Sequence, residues 1–109
     1  TTEAGVWGKR AAWVRLAGSS EGKPIEIMIM NHPSSVNFPT YWHARGYGLF
    51  AANPLGQSVF EAGRGMENPK PFNFVIKTGE PALFKFRLII HEGGLNADQI
   101  EAAFNEYSN

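Results

Sequence analysis

Residues 12–30 read AWVRLAGSSEGKPIEIMIM, from Ala12 to Met30. Ala12, Val14 and Leu16 alternate with Trp13 and Arg15, and a period of two puts successive side chains on opposite faces of a strand. The strand is predicted over Trp7–Ala17. Gly18 to Pro24 follows as a cluster of turn formers. From Pro24 to Met30 the alternation resumes, with Ile25, Ile27 and Ile29 on one face and Glu26, Met28 and Met30 on the other. Two alternating runs around a turn-forming segment predict a hairpin, and therefore an antiparallel start to the fold.

Beyond this hairpin, Tyr47 to Asn53 reads as a short strand ended by Pro54 and Gly56, and Gln57 to Glu61 as a further short strand. Gly63 to Pro71 is irregular. Phe72, Phe74 and Ile76 alternate with Asn73, Val75 and Lys77; Thr78 to Pro81 turns; Ala82 to His91 alternates again. This is the clearest hairpin pattern in the chain. Asn96 then suits a helix N-cap, with Gln99 placed for a capping box and Asp98 near the positive helix end. Ile100, Ala103, Phe104 and Tyr107 form one helical stripe. About six short strands in succession and one C-terminal helix predict an all-β, antiparallel sandwich, not a βαβ fold. Asn31 to Arg45 has neither period and reads as a long ordered loop, the kind of segment that often carries function.

The 109 residues suit one domain, or the C-terminal portion of a larger one. Ten basic and ten acidic residues give zero formal charge, which argues against non-specific nucleic-acid binding. A hydrophobic fraction of 43% argues against disorder. Twelve glycines and seven prolines make the chain turn-rich, favouring short strands. The absence of cysteine removes disulfides and thiolate chemistry. No apolar run approaches a membrane span. The first residues lack signal-peptide character and an initiator Met, as a processed or excised piece would.

The run Asn31-His32-Pro33-Ser34-Ser35-Val36-Asn37-Phe38-Pro39-Thr40-Tyr41-Trp42-His43-Ala44-Arg45-Gly46-Tyr47-Gly48-Leu49-Phe50-Ala51-Ala52-Asn53-Pro54 resembles the signature region of an uncharacterised bacterial family that carries the label "methane oxygenase PmoA"-like. Members have a His-Pro-Ser-Asn-like stretch, then Pro-Thr-x-Trp-His-x-Arg, then Tyr-Gly-Leu-Phe-Ala-Ala-Asn-Pro. A later strand ends in His-x-Gly before a terminal helix, like His91-Glu92-Gly93. Ser35-Val36-Asn37 departs from the pattern, where Asn and a basic residue are expected. The resemblance spans nearly the whole chain and implies the C-terminal portion of a longer protein. It further implies a β-sandwich, of the sugar-mutarotase-like supersandwich type, in a periplasmic or secreted bacterial protein that keeps company with carbohydrate-degrading genes. It does not imply methane oxidation.

If Trp42 to Tyr47 is extended, His43, Arg45 and Tyr47 share a surface while Trp42 and Ala44 face the other way. Those three supply a proton carrier, a planar cation and a phenol, a set suited to acting on a saccharide or sugar acid. Trp42 is the candidate platform for a sugar ring, with Trp7, Trp13 and Tyr41 as further stacking candidates against the plainer reading of core packing. Asn31, His32, Asn53 and His91 complete the candidate ligand-binding set; the plainer reading makes Asn31, Asn37 and Asn53 turn formers. His32, His43 and His91, with Glu92, are the alternative as a metal site, although their spacing has no ligand pattern and no cofactor is called for. A third reading is non-enzymatic: a structural portion whose loop braces the sandwich. The expected partners are a saccharide or sugar-acid ligand, no nucleic acid, and either the rest of a parent chain or a second copy paired through open sheet edges.

Overall fold

A computed structural model describes residues 3–109. Its elements run α1 (Glu3–Val6), β1 (Trp13–Ser20), β2 (Lys23–Asn31), β3 (Tyr41–Arg45), β4 (Leu49–Asn53), α2 (Gln57–Gly63), β5 (Phe86–Glu92) and α3 (Ala97–Ser108). The five strands form two antiparallel sheets, one ordered β1-β2-β5 and the other the β3–β4 hairpin. The fold is mostly β with a C-terminal helix, as the alternation predicted. Among the described residues no helix is long and apolar enough to cross a membrane.

The first hairpin turns more tightly than its composition suggested. Ser20 pairs with Lys23, leaving only Glu21 and Gly22 in the turn, at φ 52° and 78°. Two left-handed residues match the twist of the strands they join, so the ladder runs on through Gly18–Ser20 and Lys23–Pro24. At the other end, β1 starts only at Trp13. The residues before it turn instead toward β3, where Gly8 N donates to Trp42 O at 2.7 Å and Trp42 N to Lys9 O at 3.0 Å.

Register decides which face is covered. Met28 and Met30 are fully buried under α3, packed with Ile100 and Tyr107 and flanked by Trp13, Ile89, Leu95, Ala103 and Phe104. The helix begins as predicted: Asn96 accepts from Gln99 N while Asn96 N donates to the Gln99 side chain, a complete capping box. The opposite face of the sheet carries two apolar rows, Val14–Ile29–Leu88 and Leu16–Ile27–Ile90. Leu88 is 62% exposed and Ile90 67%.

Three predicted elements differ. Residues 41–45, read as loop, form β3, because Tyr41 and Trp42 are both buried and neighbours buried on both faces leave no polar–apolar alternation to see. Residues 57–61, read as strand, lie in α2; the adjacent Phe60 and Glu61 are both buried while Val59 is exposed, which a two-residue period cannot give. Residues 72–77 form no strand, so the predicted second hairpin is absent. The carbonyls of Leu83 and Lys85 are taken by Val36 N and His32 N, both at 2.9 Å, and only Phe86–Glu92 enters the sheet, against β2. Phe72 stacks on Phe74 at 5.7 Å, and Phe74 meets Phe84 edge-on at 6.1 Å, so the alternating phenylalanines cluster without a ladder.

Ile100→Ala is expected to lower the unfolding free energy by about 2–5 kcal/mol, since it empties the space under α3. Asn96→Ala should cost about 1 kcal/mol through the lost cap. Urea midpoints compare the two; a cap variant as costly as the core variant would contradict this placement of the core.

Candidate functional site

Because residues 41–45 are extended, their side chains alternate in the way set out for an extended segment. Trp42 pairs across to Ala52 and Ala44 to Phe50 on one face, while Tyr41, His43 and Arg45 occupy the other. Trp42 is 1% exposed, stacks on Phe50 at 6.1 Å, and donates its Nε1–H to Ala11 O at 2.9 Å. It is a core residue joining the hairpin to the start of β1, not a platform open to a sugar. His43 lies between two rings, edge-on to Trp7 at 6.0 Å and to Phe60 at 5.8 Å. Arg45 covers the face of Trp7 at 4.8 Å and reaches Glu3 Oε1 at 3.3 Å. His43 and Arg45 therefore share one indole. Tyr47 does not join them: it sits in the β3–β4 turn, 83% exposed. The expected triad is a pair plus a solvent-facing phenol, because the strand ends at Arg45 and its period ends with it.

The other candidates are spread apart. Asn31 is fully buried, its Oδ1 accepting from Thr40 N at 2.9 Å and its Nδ2 without a partner. Asn53 Oδ1 accepts from Leu55 N at 2.9 Å, a local turn contact. His32 Nδ1 accepts from Ser34 N at 3.1 Å, and its ring meets Tyr107 edge-on at 5.1 Å. His91 stands opposite Glu26 in the sheet, its Nδ1 buried and unpartnered. Glu92 pairs with Lys23 at 3.9 Å on the surface. The three histidines thus lie beside α3, beside Trp7 and on β5. Among the described residues no three His, Cys, Asp or Glu side chains gather where they could hold a metal.

A network that the sequence reading missed braces the same region. Arg10 donates to Pro39 O at 2.8 Å and to both oxygens of Asn37, and lies over the Tyr41 ring at 5.0 Å. Asn37, left-handed at φ 54°, donates from Nδ2 to Pro54 O at 2.8 Å. Tyr41 OH donates to Glu61 Oε2 at 2.8 Å, and Lys70 N donates to Glu61 Oε1 at 2.8 Å. These two donors, the Lys70 amide foremost, hold the Glu61 carboxyl below the usual carboxylate range. Burial, with the Glu61 hydrogen bond second, pushes the Tyr41 phenol up. These partners lie far apart in the chain. The one local hint is Asn37 itself, a turn former next to the Phe38-Pro39 pair.

A cleft of about 570 Å3 opens between β1 and the β3–β4 hairpin. Val14, Leu16, Leu49 and Phe50 give it apolar walls, and Arg15, Glu26, Arg45 and Glu3 its charged rim. Arg15 stands 3.6 Å from Glu26 and also donates to Leu95 O at 2.9 Å. The rim therefore consists of two arginine–carboxylate pairs, one of them built on the predicted residue Arg45.

The chain belongs to a family of unknown function (DUF6807), which matches residues 1–105. No curated protein and no solved structure matches the chain.

A carboxyl whose pKa is depressed by folding contributes stability above its unfolded pKa, and that contribution is lost as pH falls through the folded value. Stability should therefore drop below about pH 4.3, and Glu61→Gln should flatten that part of the profile. Thermal melts of both proteins across the acid range check this; parallel profiles would show that Glu61 is not a source of the acid sensitivity.

Proposed function

We propose that this DUF6807 domain is carbohydrate-related and of the PmoA-like kind, binding a saccharide or sugar acid in the cleft between β1 and the β3–β4 hairpin. The observation that carries the reading is the chemistry of the lining, apolar walls beneath two arginine–carboxylate pairs. A sugar presents C–H faces and hydroxyls together; Phe50 and Leu49 suit the first, and the planar forks of Arg45 and Arg15 suit the second. The cleft volume falls within the roughly 300–1,000 Å3 of small-molecule sites. The run from Asn31 to Pro54 supports the same reading, and with it go a β-sandwich of the mutarotase-like type and a periplasmic or secreted setting. On this reading the domain is a binding module, in which His43 packs edge-on against Trp7, the ring that carries Arg45.

Thermal melts with a panel of neutral saccharides and sugar acids test it. A ligand at one hundred times its dissociation constant adds about 2.7 kcal/mol of stability. Arg45→Met should abolish the shift, whereas Trp42→Phe should lower the melting temperature and leave the shift in place. A cooperative melt that no sugar moves would end the reading.

A second reading has its own observation, the exposed rows ending in Leu88 and Ile90. An apolar sheet face of that kind is ordinarily covered by a second sheet. On this reading the chain is a non-enzymatic structural portion of a larger β-sandwich. Alone, it should self-associate with rising concentration in sedimentation runs, and the double variant Leu88→Lys, Ile90→Lys should stay monomeric. If the unsubstituted 109-residue chain stays monomeric at every concentration, the reading fails.

A further inference from the structure

We propose that the Arg45 guanidinium and the backbone N–H of Gly46 form a carboxylate-binding site, filled in the free chain by Glu3 and open to exchange with the carboxylate of a ligand. For the identity of that ligand as a sugar acid, the inference rests on the function proposed above; for the site itself it does not.

The two oxygens of Glu3 are held separately. Oε1 accepts from Arg45 Nη1 at 3.3 Å, and Oε2 accepts from Gly46 N. A charged fork and a backbone amide converging on one carboxylate is the arrangement proteins use to recognise carboxylates in ligands. The receiving side is built for close approach. A Cβ at position 46 would stand 3.0 Å from Glu3 Oε2, so glycine leaves the carboxylate room to reach the amide. Arg45 is steadied from the other side by the Trp7 ring.

The carboxylate that accepts these bonds is weakly held. The Glu3 and Arg45 side chains are 44% and 35% exposed. A pair this open to water contributes little stability and exchanges readily. Arg45, Gly46 and Glu3 all line the cleft, next to Leu49 and Phe50. A ligand lying there with its ring on the apolar wall can place a carboxylate where that of Glu3 now sits. The site therefore selects a sugar acid over a neutral sugar, and the segment carrying Glu3 is its internal competitor.

The test follows the Gly46 amide resonance by NMR in the full chain, in Glu3→Ala and in Glu3→Ala combined with Arg45→Met. Removing Glu3 should shift this resonance while spectra elsewhere stay those of the folded parent. Sodium acetate should then return it saturably toward the parent position in Glu3→Ala, with far less effect in the parent and none in the double variant. D-glucuronate should act at lower concentration than acetate, and D-glucose should not act. An amide indifferent to Glu3→Ala, or one that acetate moves equally with and without Arg45, overturns the carboxylate site. Acetate rescue with glucuronate no better than acetate upholds the site and removes the sugar-acid reading, so the two failures are distinguishable.

Discussion

Asn31 ends β2 fully buried, and its side-chain oxygen takes the backbone N–H of Thr40 just before β3 begins. The two sheets share no ladder, so contacts of this kind decide how one sits against the other. A buried N–H left without an acceptor costs about 1–3 kcal/mol, which makes the contact a strong determinant of where the β3–β4 hairpin starts. Two further bonds point the same way: Asn31 N donates to Ala12 O, and Trp42 Nε1 donates to Ala11 O. Together they tie the end of β2, the approach to β1 and the middle of β3 to one point. Trp7, Arg45 and the cleft all lie against the hairpin that these bonds place.

Much of the larger sheet was legible because its physics is local. The isoleucines of β2 alternate, one face goes to α3, and Asn96 and Gln99 meet three residues apart. The second sheet was hidden for the opposite reason. Tyr41 and Trp42 are both buried, on opposite faces, so a buried strand there looks like an irregular run of large residues. The lost strand at 72–77 carries a different lesson. Its alternation is real, yet Val75 and Ile76 are exposed, and the segment it was expected to join is bonded to residues 32–36 instead. Alternation describes which faces a segment can offer, while the choice of neighbour is tertiary.

The candidate site divides along the same line. That His43 and Arg45 face together follows from the two-residue period. That they meet on Trp7 does not, since Trp7 reaches β3 through Gly8 and Lys9 from more than thirty residues away. The bracing by Arg10, Asn37 and Glu61 is equally remote in sequence, and no spacing rule links those positions. Trp42 shows how a residue type misleads. An indole in a polar loop resembles a ligand platform, but here its N–H is spent on a backbone carbonyl and its ring on the hairpin.

The carboxylates of this neutral chain are not equivalent. Glu61 is buried, holds two donors and has its pKa drawn down by them, so removing its charge disturbs the brace itself. Glu3 is half-exposed, and its carboxylate is held by Arg45 and the Gly46 amide. An exposed pair contributes at most about 1 kcal/mol, and a ligand must overcome that, together with the raised local concentration that comes from tethering the competitor to the same chain. On the proposed carboxylate site both terms are small enough for a ligand with additional ring contacts on Leu49 and Phe50 to win, and large enough to exclude a simple anion at low concentration. On that proposal, a carboxylate held this loosely beside the cleft sets a threshold on what enters it, which the buried Glu61 is too tightly held to do.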